Sequence, residues 1–269
     1  MFLNRSALLK GAGKLKALFL DLIFPVECLG CSQEGVWLCQ DCFRKLEFQS
    51  SQYCLHCKEE NNYGQFCDKC KELYYLNGVW IAGDYEDKII AQLIKSLKYR
   101  FARDINLILA NFLSLFLQNL IKQSRLTSID LRHDQIWRRL EKLPNIPQPL
   151  LDLNYTLVMP VPLHKKRQRW RGFNQAQGIA IEIGKSFGLK VNQESLVRIK
   201  HKKPQAKLGE VQRKENIKNC FAWQGNNLAG QPVILIDDVT TTGSTLNECA
   251  KVLKQHGAGE VWGLVVAKG

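Results

Sequence analysis

Beyond residue 75 the chain carries four short apolar runs with little polar alternation: Val79-Trp-Ile-Ala82, Thr156-Leu-Val-Met159, Val233-Ile-Leu-Ile236 and Val261-Trp-Gly-Leu-Val-Val-Ala267. Such runs predict strands buried on both faces, as in a parallel sheet. Helical periods lie between them. Ile89, Ile90, Leu93, Ile94 and Leu97 mark one core face, with Lys95 and Lys98 assigned to the other side. A strongly apolar helix runs from Leu107 to Leu120, but Asn106, Asn111, Ser114, Gln118 and Asn119 break it too often for a membrane span. Another helix begins near Asn174, and Leu246, Cys249, Ala250 and Leu253 repeat helically up to a stop at Gly257. Ser195-Leu-Val-Arg-Ile199 adds a strand. Strands alternating with helices predict an α/β fold, a parallel sheet flanked by helices.

Before residue 75 the pattern differs. Residues 7–24 read as one helix with a stripe of Leu8, Leu15, Leu18, Leu22 and Ile23, ended by Pro25. A helix packed on the body of the protein is the favoured reading over a membrane-surface anchor. Asp21 interrupts the apolar stretch and no cleavage site follows, which argues against a signal peptide. Gly11-Ala-Gly-Lys14 lacks the spacing of a phosphate loop. Residues 122–154 are polar, with Pro144, Pro147 and Pro149, and read as an insertion or linker.

Cysteines set the N-terminal third apart. Eight of ten fall into four C-x-x-C pairs, Cys28/Cys31, Cys39/Cys42, Cys54/Cys57 and Cys67/Cys70. Two such pairs complete a tetrahedral four-thiolate zinc site, so about two structural Zn2+ are expected. Sequential sites are favoured; pairing first with third and second with fourth remains the alternative. His56 reads as a bystander, and Cys220 and Cys249 as core residues. Reduced, metal-bound thiols point to the cytoplasm. The predicted division is a double zinc-ribbon module with its preceding helix, 1–75, and a second domain, 76–269. The module is expected to fold on its own metal and to be independent of chemistry further along the chain.

The net charge of +13 points to polyanionic partners. It is concentrated between His164 and Asn219, with 15 Lys and Arg against 4 Asp and Glu. Arg167, Arg169 and Arg171 alternate after the second strand and suit a diphosphate. Residues 200–209 read as a mobile basic loop able to close over a phosphorylated substrate or to hold nucleic-acid backbone. Trp170, Phe173, Trp223 and Trp262 could stack on bases, although each reads first as core.

The most informative stretch is Val233-Ile-Leu-Ile-Asp-Asp-Val-Thr-Thr-Thr-Gly-Ser-Thr245. A buried strand leads to Asp237 and Asp238, then to a hydroxyl-rich loop and a helix. Free N–H groups at the helix start suit a phosphate. Carboxylates would repel that phosphate but accept hydrogen bonds from sugar hydroxyls. The stretch resembles the motif by which type I phosphoribosyltransferases bind PRPP, 5-phosphoribosyl 1-diphosphate. Taken in order, the four C-x-x-C pairs, Pro160-Val-Pro-Leu163, Arg169-Trp-Arg-Gly-Phe-Asn-Gln175, Pro204-Gln205 with Arg213 and Asn216, and this motif resemble the ComF family of competence-associated proteins. The resemblance implies a zinc-ribbon module ahead of a type I phosphoribosyltransferase fold. It implies PRPP binding with Mg2+, with Asp237 and Asp238 on the ribose hydroxyls. Thr240, Thr241, Thr242, Gly243, Ser244 and Thr245 would hold the 5-phosphate, and Arg169 and Arg171 would face the diphosphate. It also implies single-stranded DNA and other competence proteins as partners in natural transformation. No residue presents itself as a general base, so the acceptor is not legible.

Overall fold

The computed structural model describes residues 26–99, 104–123, 147–200 and 215–269. The N-terminal helix expected over residues 7–24, most of the polar 122–154 segment and the basic loop with Lys202, Lys207 and Arg213 lie outside the described residues.

The described residues open with a ribbon of two lobes. In the first, α1 (Gln40–Arg44) starts on Cys39, whose Sγ accepts from the Cys42 N–H. In the second, β1 (Gln52–Tyr53) pairs antiparallel with β2 (Glu60–Asn61). There follow β3 (Gly78–Asp84), α2 (Lys88–Tyr99), α3 (Ile105–Gln123), α4 (Gln148–Leu151), β4 (Leu157–Pro160), α5 (Lys165–Arg171), α6 (Gln175–Phe187) and β5 (Lys190–Val191). The short strands β6 (Leu196–Arg198) and β7 (Phe221–Trp223) form a separate antiparallel pair. The chain closes with β8 (Val233–Thr240), α7 (Ser244–Gln255) and β9 (Val261–Lys268).

Five strands build one sheet in the order β3-β9-β8-β4-β5, every pair parallel. All four apolar runs picked from the sequence lie in it. Residues 195–199, read simply as a strand, join the outlying hairpin instead. The central strands β8 and β9 are apolar because both their faces are covered. Ile234 and Ile236 of β8 face a core with α2, α3 and α6, where Leu93, Phe112 and Ile179 pack. Val233 and Leu235 face the opposite core with α7, where Leu246, Cys249 and Leu253 pack. Helix α3 is long and apolar enough to cross a membrane by length and composition, but 61% of that window is buried inside the fold. Its apolarity is that of a core helix against α6 and the sheet.

The ribbon packs along the free edge of β3. The Gln52 amide donates to the Ile81 carbonyl (2.9 Å) and accepts from the Ile81 N–H (3.0 Å), standing in for a neighbouring strand. The Gln49 N–H donates to Ala82 O, and the Val79 N–H to Gly64 O. An edge strand left open would template aggregation; here the ribbon satisfies it. Its lobes also feed both cores, Cys28 and Cys42 one and Cys54 and Cys70 the other. The ribbon is therefore not independent of the sheet, contrary to the expectation from its self-sufficient metal ligands.

Candidate functional site

The carboxylate pair belongs to the strand. Asp237 pairs in register with Val265 and Thr240 with Lys268, so the ladder runs on past the apolar residues. Strand alternation fixes where each acid points. Asp238 shares the parity of Ile234 and Ile236 and turns toward α2, where Lys98 Nζ lies 3.0 Å from its Oδ1. Both side chains are largely buried, 21% exposed for Lys98 and 9% for Asp238. Asp237 shares the parity of Leu235 and turns toward α7 and the hairpin, near Cys249 and Arg198.

Asp237 is the perturbed group. Burial and the neighbouring Asp238 charge push its carboxyl up to about 7, against the charges of Lys98 and Arg198 and the Asp238 N–H that donates to it. A carboxylate held in this state favours hydroxyl donors or a cation. On the hairpin, the Arg198 guanidinium sits 5.5 Å over the Phe221 ring, and its buried Nε has no hydrogen-bond acceptor among the described residues.

The loop after β8 leads into α7. Gly243 caps the helix at φ 72°, in the left-handed region that favours glycine, and supplies no side chain to cover the first N–H groups. Thr242 Oγ1 and Ser244 Oγ meet at 2.6 Å, drawing the hydroxyls together. Thr240 ends the strand buried, its carbonyl accepting from the Gly269 N–H. Strand β4 runs beside β8, and the Val161 N–H donates to Ile236 O, so the segment after β4 emerges next to the acid pair. Ligands of open α/β sheets sit at such carboxyl ends.

That segment, where Arg167, Arg169 and Arg171 alternate in sequence, is the helix α5. At helical spacing Arg167 and Arg171 share a face and Arg169 stands off it. Arg171 donates to Gln175 Oε1 (3.1 Å), while Arg169 is exposed. Trp170 is 60% exposed, so it is no core residue. Trp262, by contrast, is buried and stacks on Trp80 at 4.9 Å between ring centroids.

Sequence reading missed Lys98 and Arg198. Lys98 falls four residues after Ile94 and eight after Ile90, so strict periodicity puts it on the core face. A lysine there announces a buried partner, and that signal was available. Arg198 carried none, because its role depends on a hairpin that is not local in sequence.

The ribbon brings together Cys28, Cys31, Cys39 and Cys42, and separately Cys54, Cys57, Cys67 and Cys70. This is the sequential pairing. Within each set all sulfurs lie within 4.8 Å of one another, with Cys31 and Cys39 at 3.7 Å and Cys57 and Cys67 at 3.6 Å. Tetrahedral zinc with bonds of about 2.3 Å sets sulfurs about 3.8 Å apart, so the ligands fit the metal. Burial opposes ionisation of Cys28, yet N–H groups of Cys39, Gly30 and Cys31 bring its thiol down to about 6. Cys54 comes down to about 7, against its burial, through N–H groups of Cys57, Cys67 and His56. Both are structural zinc sites, with closed ligand sets. Cys220 and Cys249 are fully buried core residues.

Residues 19–71 match the double zinc ribbon domain and residues 171–268 the phosphoribosyl transferase domain. Competence protein F of Haemophilus influenzae is 31% identical over 256 residues, covering 91% of this chain and 98% of that protein. Competence protein ComFC of Bacillus subtilis is 36% identical over 107 residues, 39% of this chain and 41% of that protein. DNA utilization protein YhgH of Escherichia coli K12 is 33% identical over 107 residues, 39% of this chain and 47% of that protein. Identity that spans both the zinc ribbon and the sheet with its acid pair shows that the chain belongs to the ComF family of competence proteins.

Proposed function

We propose that the site binds PRPP with Mg2+ and transfers its phosphoribosyl group, in a cytoplasmic protein that serves DNA uptake together with other competence proteins. The observation that carries the reading is the carboxylate pair set directly before a glycine-capped helix start, at the carboxyl end of a central parallel strand. Asp237 and Asp238 accept hydrogen bonds from the ribose hydroxyls. N–H groups and hydroxyls from Thr240 to Thr245 hold the 5-phosphate, and Arg169 and Arg171 face the diphosphate. Mg2+ arrives with the diphosphate as part of the substrate. The C1–O bond breaks and diphosphate leaves with the electron pair; the oxocarbenium-like ribose, stabilised by the negative charge of Asp237 where positive charge develops, is captured at C1 by an acceptor nucleophile, which gives up its proton. The names of the relatives, competence and DNA utilization proteins, motivate the link to DNA uptake.

Calorimetry with PRPP and Mg2+ tests this. Asp237→Asn and Asp238→Asn should each cost about 1.5–3 kcal/mol, as lost charged hydrogen bonds do. The pH profile adds a sign. Hydroxyl donors favour ionised Asp237, which titrates near pH 7 in the free protein. Binding below that pH therefore releases a proton, and affinity should rise by up to about tenfold per pH unit before levelling off above it. No binding by the wild type at any pH defeats the reading.

A second reading is a non-catalytic single-stranded DNA-binding protein. Exposed Trp170 with exposed Lys165, Lys166 and Arg169 on one short helix favours it. An aromatic beside cations offers stacking and phosphate contacts together. Lys165→Ala with Lys166→Ala and Arg169→Ala should lower the slope of log affinity against log salt by up to about 2–3. Trp170→Ala should weaken binding by roughly 1–3 kcal/mol without changing that slope. Affinity for DNA that ignores all four changes sinks this second reading.

A further inference from the structure

We infer that Leu55, carried between Cys54 and Cys57 of the second zinc site, is a positioning residue for the phosphate-binding loop, so that the zinc ribbon helps to build the PRPP site. Leu55 is 5% exposed, and its Cδ2 occupies the space beside Gly243: a Cβ added there would lie 2.6 Å from it. Gly243 is the residue whose left-handed turn aims the first N–H groups of α7. The left-handed φ requires the glycine, and a Cβ there would in addition press on the terminal methyl of Leu55, which would have to shift. A second tie lies one turn along the helix. Asn247 Oδ1 accepts from the N–H groups of Tyr75 (2.7 Å) and Leu76 (3.3 Å), the chain just leaving the ribbon. The loop and first turn are held by the ribbon at two points, although 172 positions separate Tyr75 from Asn247.

The ribbon side of this contact is set by the metal ligands. Cys54 is fully buried, its N–H donates to Glu59 O and its carbonyl accepts from the Lys58 N–H, which forms the knuckle that carries Leu55. Four thiolates on one ion fix such a knuckle. Leu55, Cys54 and Cys70 then share one core cluster with Leu246, Cys249 and Ala250 of α7. An anion cradle works only if its N–H groups are held in place beforehand, and a displacement of about 1 Å can cost two orders of magnitude. Gly243 and Ser244 have no bulky side chains to hold them, so Leu55 supplies that packing from outside the loop.

The inference rests on the PRPP reading for its ligand, and the test separates the two. Amide hydrogen exchange at residues 241–245 is measured in the full chain, with zinc content, beside calorimetry with PRPP and Mg2+. Leu55→Ala should keep about two zinc ions per chain, speed exchange in the loop at least about tenfold and weaken PRPP about tenfold. Leu55→Met, which conserves volume, should stay within about twofold of the wild type. Gly243→Ala should lose less affinity in the Leu55→Ala background than in the wild type, because the clash is gone while the φ strain stays. A role in general stability alone predicts additive losses there. If Leu55→Ala sheds zinc or unfolds, the smaller truncation Leu55→Val decides, since it thins the same contact; zinc retained there with unchanged exchange at residues 241–245 overturns the inference. Zinc retained in Leu55→Ala with loop exchange and affinity unchanged overturns it as well. Should the wild type fail to bind PRPP, the proposed function falls and the exchange data alone decide the positioning role.

Discussion

Cys54→Ser combined with Cys57→Ser is expected to unfold the sheet together with the ribbon, in one transition. The isolated sequence pattern argues otherwise, because a metal module usually stands or falls alone. The packing reverses that expectation. Cys54, Leu55, Phe66 and Cys70 are 0–5% exposed within the same core as Val233, Leu235 and Cys249. Unfolding the second lobe strips that cluster, opens the β3 edge that Gln52 and Gly64 satisfy, and removes both ties to α7. Apparent zinc-binding energies of about 10–16 kcal/mol in small modules compare with total stabilities of about 5–15 kcal/mol for whole domains. Losing even a fraction of the former exhausts the latter. Chelation of the wild type should have the same result. Thermal melts followed by near-ultraviolet circular dichroism and by limited proteolysis check this. A protease-resistant remnant starting near residue 76, with native tryptophan signal from the buried Trp80 and Trp262 stack, would show that the sheet stands alone and refute the prediction.

The cysteine pattern carries no record of this packing, for a physical reason. Ligand spacing reports which thiols can share an ion, and there it was right: two sequential four-cysteine sites form. It carries no information about what the knuckles touch. Leu55 and Gln52 look like unremarkable residues in a short polar stretch, yet one fills the space over Gly243 and the other completes a strand edge. Both contacts join positions far apart in sequence, and no local period records them. The strands of the sheet were legible because burial on both faces leaves uninterrupted apolar runs. Of the hairpin, β6 was read as a strand at 195–199, but its partner β7 was not, since three residues are too few for any period to show. At the site, strand–acid–acid–loop–helix was readable from residue types alone. The cations that balance the acids were not read, although Lys98 had left a trace in the helical period.

Those cations give the acid pair its asymmetry. Two adjacent carboxylates at the end of a strand covered on both faces cannot both ionise freely without countercharge. Asp238 has a direct partner in Lys98, whereas Asp237 has only the more distant influence of Lys98 and Arg198 and keeps a carboxyl near 7. One acid is thus fixed in an ion pair and the other poised to change its charge when a ligand arrives. The same asymmetry bears on stability. Because the folded state raises Asp237 above its unfolded value, the folded state is favoured while that acid is protonated. The benefit is lost as pH rises from about 4 toward 7. Above that window Asp237→Asn should therefore raise the melting temperature while it weakens PRPP, the trade expected where a strained group serves function.

Lys98→Met should be among the most destabilising single changes at the site. Breaking a buried ion pair by removing one partner typically costs about 3–5 kcal/mol, because the remaining charge is left without compensation. Lys98 keeps some solvent contact at 21% exposure, which argues for roughly 2–4 kcal/mol here. Asp238→Asn in the same chain removes the orphaned charge, so the double variant should recover most of that loss. The recovery separates electrostatics from a mere packing defect, since a methionine that fits poorly would stay costly beside asparagine. A second sign follows from the neighbouring acid. The Lys98 charge holds the Asp237 carboxyl down, so its loss should move the midpoint of the PRPP pH profile upward, above about 7. Melting curves of the two single variants and the double variant, with PRPP titrations from pH 5 to 9 on Lys98→Met, read both effects. A Lys98→Met protein as stable as the wild type, or a midpoint that moves down, means that the acid pair draws its countercharge from elsewhere. Arg198, over the Phe221 ring and facing Asp237, would then be the next residue to change.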